Sequence, residues 1–212
     1  MHLRTLAVGF LETNCTVLSA NPPDAVVIDA GGDADAIIAH LEAEGLVPTM
    51  LVVTHGHSDH IAANASLKKR YGDMKIAVGR ADADALTDPM KNMSLYIGMR
   101  IVSPEADRLL DDGEAFTVAG VTFGVLTLPG HTPGGIGLFV DDLDGVPALF
   151  AGDTLFARSV GRTDIAGGDG EMLLASIREK IFTLPDETVV YPGHGPTTTV
   201  GEEKRSNPFV TH

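Results

Sequence analysis

Residues 54–60 read Thr-His-Gly-His-Ser-Asp-His and follow directly on the apolar run Met50-Leu51-Val52-Val53. Three imidazoles and a carboxylate packed so closely are too much metal-ligand chemistry for a solvated turn. His55 and His57 are two apart, so in an extended segment both project to one side, while Asp59 and His60 reach onward from the following turn. One short loop of this kind can serve two neighbouring metals. Neutral imidazole and carboxylate are the ligands that borderline and hard divalent ions prefer, and a single cysteine, Cys15, excludes the thiolate-rich structural zinc classes.

Three further apolar runs end in the same way. The run at 125–130 leads to His131, the run at 148–152 to Asp153 and the run at 188–193 to His194, each through a glycine that permits a tight turn. Ligand sites in open α/β sheets gather beyond the carboxyl ends of the strands, so four such strands can converge their loops on one point. A lone His after Pro-Gly is usually a turn residue, and Gly-Asp is often a turn or a helix cap. The joint pattern is different: five of the eight histidines occupy these loops, together with Asp59 and Asp153. His2, His40 and His212 lack that context and are read as surface or helix-face residues.

The remaining pattern is one of alternating strands and helices. Residues 3–8, 16–18 and 25–28 read as a strand meander, 33–45 as a helix with an acidic start and a glycine stop, and 50–53 as a strand. A helix near 60–71 and a strand at 75–78 complete a βαβα region. Residues 116–128 read as a hairpin around Ala119-Gly120, followed by strands at 136–140 and 148–150, a helix at 171–182 and a strand at 188–190. Met90, Met93, Tyr96 and Met99 are expected in the core or on a helix face, with an adaptable apolar wall over the site as the other reading.

With 212 residues the chain is expected to form a single domain, 1–212, around one core. No apolar run comes near the roughly 20 residues of a membrane-spanning helix, so no membrane partner is expected. The short apolar stretch after Met1 soon meets Glu12 and Asn14, unlike a secretory leader, and the lone Cys15 fits a reducing compartment, so a cytoplasmic location is expected. The net charge of −14 is spread along the chain, and the densest basic cluster is Lys68-Lys69-Arg70 at a helix end. Nucleic acid is therefore excluded as an expected partner. That field would also repel strongly anionic substrates unless a local cation compensates.

These residues together resemble the metallo-β-lactamase superfamily, whose signature is His-x-His-x-Asp-His followed by a later His, an Asp and a final His. Every element is present in order, and the resemblance covers nearly the whole chain. It implies an αββα sandwich with a binuclear site along one edge. Carried over by motif, one ion would take His55, His57 and His131, the other Asp59, His60 and His194, and Asp153 would bridge both. The implied cofactors are two divalent ions, zinc first, with iron or manganese as alternatives. True β-lactamases often use a cysteine in the second site or lose a motif histidine, and flavodiiron oxygen reductases usually carry Glu where His57 stands; this chain does neither. The unbroken set, the Gly161-Arg162-Thr163-Asp164 stretch and the segments 191–196 and 203–209 are similar to short single-domain glyoxalase II enzymes, the hydroxyacylglutathione hydrolases.

That likeness implies hydrolysis of a small thioester, glutathione-linked as in S-D-lactoylglutathione, by a hydroxide held between metals roughly 3.5 to 4 Å apart. Asp59, besides holding a metal, is the carboxylate best placed to take a proton. With the last ligand at His194 of 212 residues, no C-terminal helical extension of the kind that supplies basic contacts to glutathione in two-domain relatives is expected. Arg162 lies in the loop where relatives place a cationic contact and is the candidate for binding a substrate carboxylate, against the plainer reading of an exposed or ion-paired arginine. A competing branch is the mononuclear iron persulfide dioxygenase acting on glutathione persulfide, in which His55, His131 and Asp153 would form a facial triad around Fe(II). A scaffold role is disfavoured, because a structural zinc site rarely needs seven ligands. The pattern carries nothing on oligomeric state.

Overall fold

The computed structural model describes residues 1–210, so His212 lies outside the described residues. One sheet runs in chain order through β1 (His2–Val8), β2 (Thr13–Asn21), β3 (Asp24–Ile28), β4 (Val47–Val53), β5 (Lys75–Gly79) and β6 (Arg108–Leu110). Its first three strands form an antiparallel meander, and β3 to β6 pair in parallel. Parallel neighbours need a crossover, supplied by α1 (Ala34–Ala43) before β4 and by α2 (Ser58–Ile61) and α3 (Asn64–Arg70) before β5.

The second sheet contains β7 (Ala115–Val118), β8 (Val121–Thr127), β9 (Ile136–Leu143) and β10 (Val146–Gly152), which pair antiparallel in succession. A small hairpin of β11 (Leu155–Phe156) and β12 (Ser159–Val160) and the helix α4 (Gly170–Glu179) follow. Then β13 (Val189–Pro192) joins β10 in parallel, β14 (Thr198–Thr199) closes that edge, and α5 (Val200–Ser206) ends the run. The β7–β8 hairpin turns on Ala119 and Gly120 at φ 51° and 77°, the left-handed pair that a type I′ turn requires.

Side-chain alternation dictates how the layers stack. In β4, Leu51 and Val53 face the helix side, where they meet Ile37, Leu41 and Leu67, while Val52 faces the opposite sheet. In β10, Ala148 and Phe150 point between the sheets toward Phe123 and Leu138, while Leu149 and Ala151 pack under Leu173 and Ile177 of α4. Strands that are apolar on both faces must be covered on both, and the outcome is four layers, helix, sheet, sheet, helix. The expected αββα sandwich is therefore the observed fold. Among the described residues no helix is long and apolar enough to cross a membrane.

Local differences have local causes. The helix expected near 60–71 is broken into α2 and α3, with the main chain of Ala63 donating to Ala30 where the two pieces meet. The helix expected over 171–182 stops at Glu179, and a short 3₁₀ turn, Ile181–Thr183, carries the chain on. The expectation that Met90, Tyr96 and Met99 lie in the core or on a helix face is corrected: all three are exposed, in irregular chain and a single 3₁₀ turn, Ser94–Ile97.

Candidate metal centre

Each candidate ligand stands just beyond the carboxyl end of a strand. His55 and His57 follow β4, His131 follows β8, Asp153 follows β10 and His194 follows β13. His57 is the extended N-cap of α2, so Asp59 and His60 lie in that helix's only turn. An isolated bridge between Thr13 and His194 ties the two sheets together at this rim. Gly193 supplies the close approach: a Cβ there would lie 2.1 Å from Asp153 Oδ1 and 2.8 Å from His60 Cε1.

The seven side chains meet. His57 Nδ1 lies 3.0 Å from His55 Nε2 and 2.9 Å from His131 Nε2. A single imidazole nitrogen cannot bond to both, whereas tetrahedral coordination at Zn–N of about 2.0–2.1 Å brings ligand nitrogens to roughly this separation. On the other side, His194 Nε2 and His60 Nε2 lie 3.2 Å and 3.5 Å from Asp59 Oδ2. Asp153 stands between the two groups, with Oδ1 3.4 Å from His60 Nε2 and Oδ2 3.6 Å from both His131 Nε2 and His194 Nε2. His55–His57–His131 and Asp59–His60–His194 each offer donor atoms within 4.8 Å of one another. Both ring nitrogens of His60 and Asp153 Oδ1 are buried without a hydrogen bond of good geometry; Nδ1 keeps a close contact to the Asp29 carboxylate, while Nε2 and Oδ1 are left costly unless a cation satisfies them. Nitrogen and oxygen donors in this arrangement fit a divalent metal site.

Atoms behind the ligands set their tautomers. His131 Nδ1 donates to the carbonyl of Arg162 at 2.8 Å and His194 Nδ1 to that of Leu11 at 3.0 Å, which leaves each Nε2 free to face the centre. His55 Nδ1 is 3.3 Å from Thr54 Oγ1, and that hydroxyl donates to Asp29 Oδ2 at 2.7 Å. The same Asp29 oxygen faces His60 Nδ1 at 3.0 Å, and Oδ1 accepts from the main chain of Thr54 at 2.7 Å. Asp29 thus supports one ligand of each group. Asp82 accepts from the main-chain N–H of Gly56 and Gly134, pinning the loops of His57 and His131. Sequence reasoning missed both carboxylates. Asp29 carried a usable signal, since it too follows an apolar run, Ala25-Val26-Val27-Ile28, and precedes glycines.

Electrostatics divides the site. Burial, with His131 adding to it, pushes the His57 imidazole down to about 3, and burial together with the neighbouring imidazoles holds His55 well below its ordinary range. These two are neutral at pH 7, as a metal ligand must be. Burial opposes charge on His60 too, but Asp153, Asp29 and Asp59 outweigh it and raise the group. Burial would raise Asp59 and Asp153, yet the His60 and His194 imidazoles hold both carboxyls below the usual range. Cys15 is buried in the helix-side core, with its thiol pushed up by burial, away from the ligand set.

A cavity of about 460 Å³ opens onto the centre, lined by His57, Asp59, His131, Asp153 and His194 and walled by Phe10, Leu11, Met93, Tyr96, Ile97 and Ile165. Arg162 also lines it. Its exposed guanidinium is engaged in a bidentate pair with Asp164, at 2.8 and 3.0 Å. His2 and His40 lie apart from this centre, with their Nε2 atoms 3.1 Å from one another.

Residues 8–194 match the metallo-beta-lactamase superfamily, and the chain belongs to that family. Over 99% of its length it is 37% identical to hydroxyacylglutathione hydrolase GloC of Haemophilus influenzae, 98% of which is covered. Among solved structures it is similar to the BLEG-1 B3 metallo-beta-lactamase, with a TM-score of 0.93 and 38% identity over the whole of both chains. TTHA1623 in a di-iron-bound form gives a TM-score of 0.85 at 34% identity, covering 97% of this chain and 99% of that one. ETHE1 from Myxococcus xanthus gives 0.82 at 30% identity, covering 99% and 84%.

Proposed function

We propose that this protein is a binuclear metal-dependent hydrolase that cleaves thioesters of the S-D-lactoylglutathione type. The observation that carries the reading is the position of Asp153, whose Oδ2 lies 3.6 Å from one nitrogen of each triad, in His131 and in His194, while its Oδ1 faces His60. The name of the Haemophilus relative supports the thioester, and the donor set suits zinc, with iron the alternative raised by the di-iron neighbour. A buried, unpaired Cys15 suits a reducing, cytoplasmic setting.

When bound, two divalent ions would supply a hydroxide near neutral pH and a Lewis acid for the carbonyl oxygen. His55, His57 and His131 would hold one, Asp59, His60 and His194 the other, and Asp153 both. The protein's own part is to fix those donors in advance. Asp29, through Thr54 and directly, keeps His55 and His60 oriented, and the carbonyls of Arg162 and Leu11 do the same for His131 and His194. Asp59 reaches the cavity and is the carboxylate that would accept the proton released as the nucleophile attacks. A thiol of pKa about 8.5 departs as thiolate, so the cavity needs no strong acid to protonate it.

The test is turnover by metal-loaded protein under anaerobic conditions, followed as release of free thiol from S-D-lactoylglutathione. Hydrolysis without oxygen is expected. Oxygen uptake on glutathione persulfide with no thioester cleavage would replace this reading with the iron dioxygenase one, and turnover of a chromogenic cephalosporin alone would replace it with a β-lactamase.

A further inference from the structure

Leu95, Tyr96, Ile97 and Met99 are between 42% and 62% exposed, an unusual run of bare apolar surface beside the candidate metal centre. Its frame is nonetheless pinned. Asn92 and Ser94 beneath it are fully buried: Asn92 Nδ2 donates to the carbonyl of Ile101 at 2.9 Å, its Oδ1 accepts from Ser94 N–H at 3.0 Å, and Ser94 Oγ accepts from Ile101 N–H at 3.1 Å. The main-chain carbonyl of Asn92 accepts from the N–H of Ser58 at 2.8 Å, and Ser58 lies between His57 and Asp59. The apolar segment is therefore fastened to the ligand loop itself. Met93, which joins the two, adopts φ 68°, a left-handed conformation that a long side chain takes only under constraint.

The charges around the centre argue the same way. Arg162 in the main cavity is bound by Asp164, and Lys91, in a neighbouring cavity of about 290 Å³ that shares His57, is held 2.8 Å from Asp84. An anionic substrate gains from either cation only the exchange of one carboxylate for another, against a protein of net charge −14. Apolar contact is what the cavity has to offer. Resting on the thioester-hydrolase reading above, we propose that this cavity selects thioesters bearing an apolar group beside the scissile bond, with Met93, Tyr96 and Ile97 as its specificity-determining wall. The apolar group can belong to the acyl or to the thiol side.

The experiment compares kcat/KM for four thioesters, lactoyl and hexanoyl groups each carried on glutathione and on benzyl mercaptan. At least one apolar replacement is expected to raise kcat/KM over S-D-lactoylglutathione by about tenfold or more, the scale on which a few methylenes discriminate in an apolar pocket. Gain with hexanoylglutathione assigns the wall to the acyl group, and gain with the lactoyl benzyl thioester assigns it to the thiol. Tyr96→Ala and Ile97→Ala, both at exposed side chains whose loss spares the core, are expected to shrink that ratio at least several-fold. S-D-lactoylglutathione as the best of the four, with a ratio untouched by either variant, overturns the proposal while leaving thioester hydrolysis standing. A change in sedimentation of Tyr96→Ala with no change in the ratio also overturns it, in favour of a face covered by a second copy. Hydrolysis of none of the four removes the thioester reading and this inference with it.

Discussion

Asp29 concentrates more of the site's order than any candidate ligand does, because its carboxylate addresses Thr54, through it His55, and His60 directly. Replacing it with Ala leaves two imidazoles free to rotate or to change tautomer. Asp29→Ala is expected to lower metal affinity by about 10–100-fold, read by competition with a chromogenic chelator, although Asp29 itself touches no ion. Arg162 gives the opposite expectation. Its guanidinium must leave Asp164 before it can hold a substrate carboxylate, and a pair this exposed is weak because solvent screens it. Arg162→Ala should therefore raise KM for S-D-lactoylglutathione by no more than about fivefold with kcat unchanged, since its carbonyl contact to His131 is main chain and survives the substitution. A fall in kcat alone would refute anchoring. The seven-residue constellation was legible because each member sits in a short motif or behind an apolar strand. Asp82 and Asn92 act through atoms that only folding brings near, and a lone carboxylate or amide in sequence has nothing to distinguish it; Asp29 alone of the three stands behind an apolar strand, as the ligands do.

At the scale of elements, the strands do the positioning and the cores hold the strands. Phe123 is fully buried between the sheets, stacked near Phe116 and edge-on to Phe150, in the same strand β8 that leads to His131. Phe123→Ala should cost about 3–5 kcal/mol in denaturant unfolding and loosen the His131 loop with it. Most strands were legible as period-two or uniformly apolar runs, and the 119–120 hairpin as a turn. The 3₁₀ segment 94–97 was not. Its side chains are exposed, so its apolar residues obey neither period, and what fixes them is a pair of buried polar groups, Asn92 and Ser94, that hydrophobic patterning ignores. The break between α2 and α3 was hidden for a related reason: a main-chain bond from Ala63 to Ala30 carries no side-chain signature.

For the whole molecule, cations held at this rim would join two sheets that also meet there through polar contacts, among them the Thr13–His194 bridge and Asn14 clamping the carbonyls of Pro192 and Gly195. They would also offset part of a net charge of −14. A ligand at 100 times its Kd stabilises the folded state by about 2.7 kcal/mol, which for a chain of this size is roughly 5–10 °C in Tm. Exhaustive chelation should lower Tm by that order, and readdition of zinc or iron should restore it; an unchanged midpoint would mean the cluster holds no ion that matters to the fold. Elemental analysis of the purified protein beside its Asp153→Ala variant decides between one ion and two. Two ions per chain are expected, both depleted together in the variant, because one carboxylate serves both triads. A single iron per chain, or a variant that loses one ion and keeps the other at full occupancy, would contradict the shared centre.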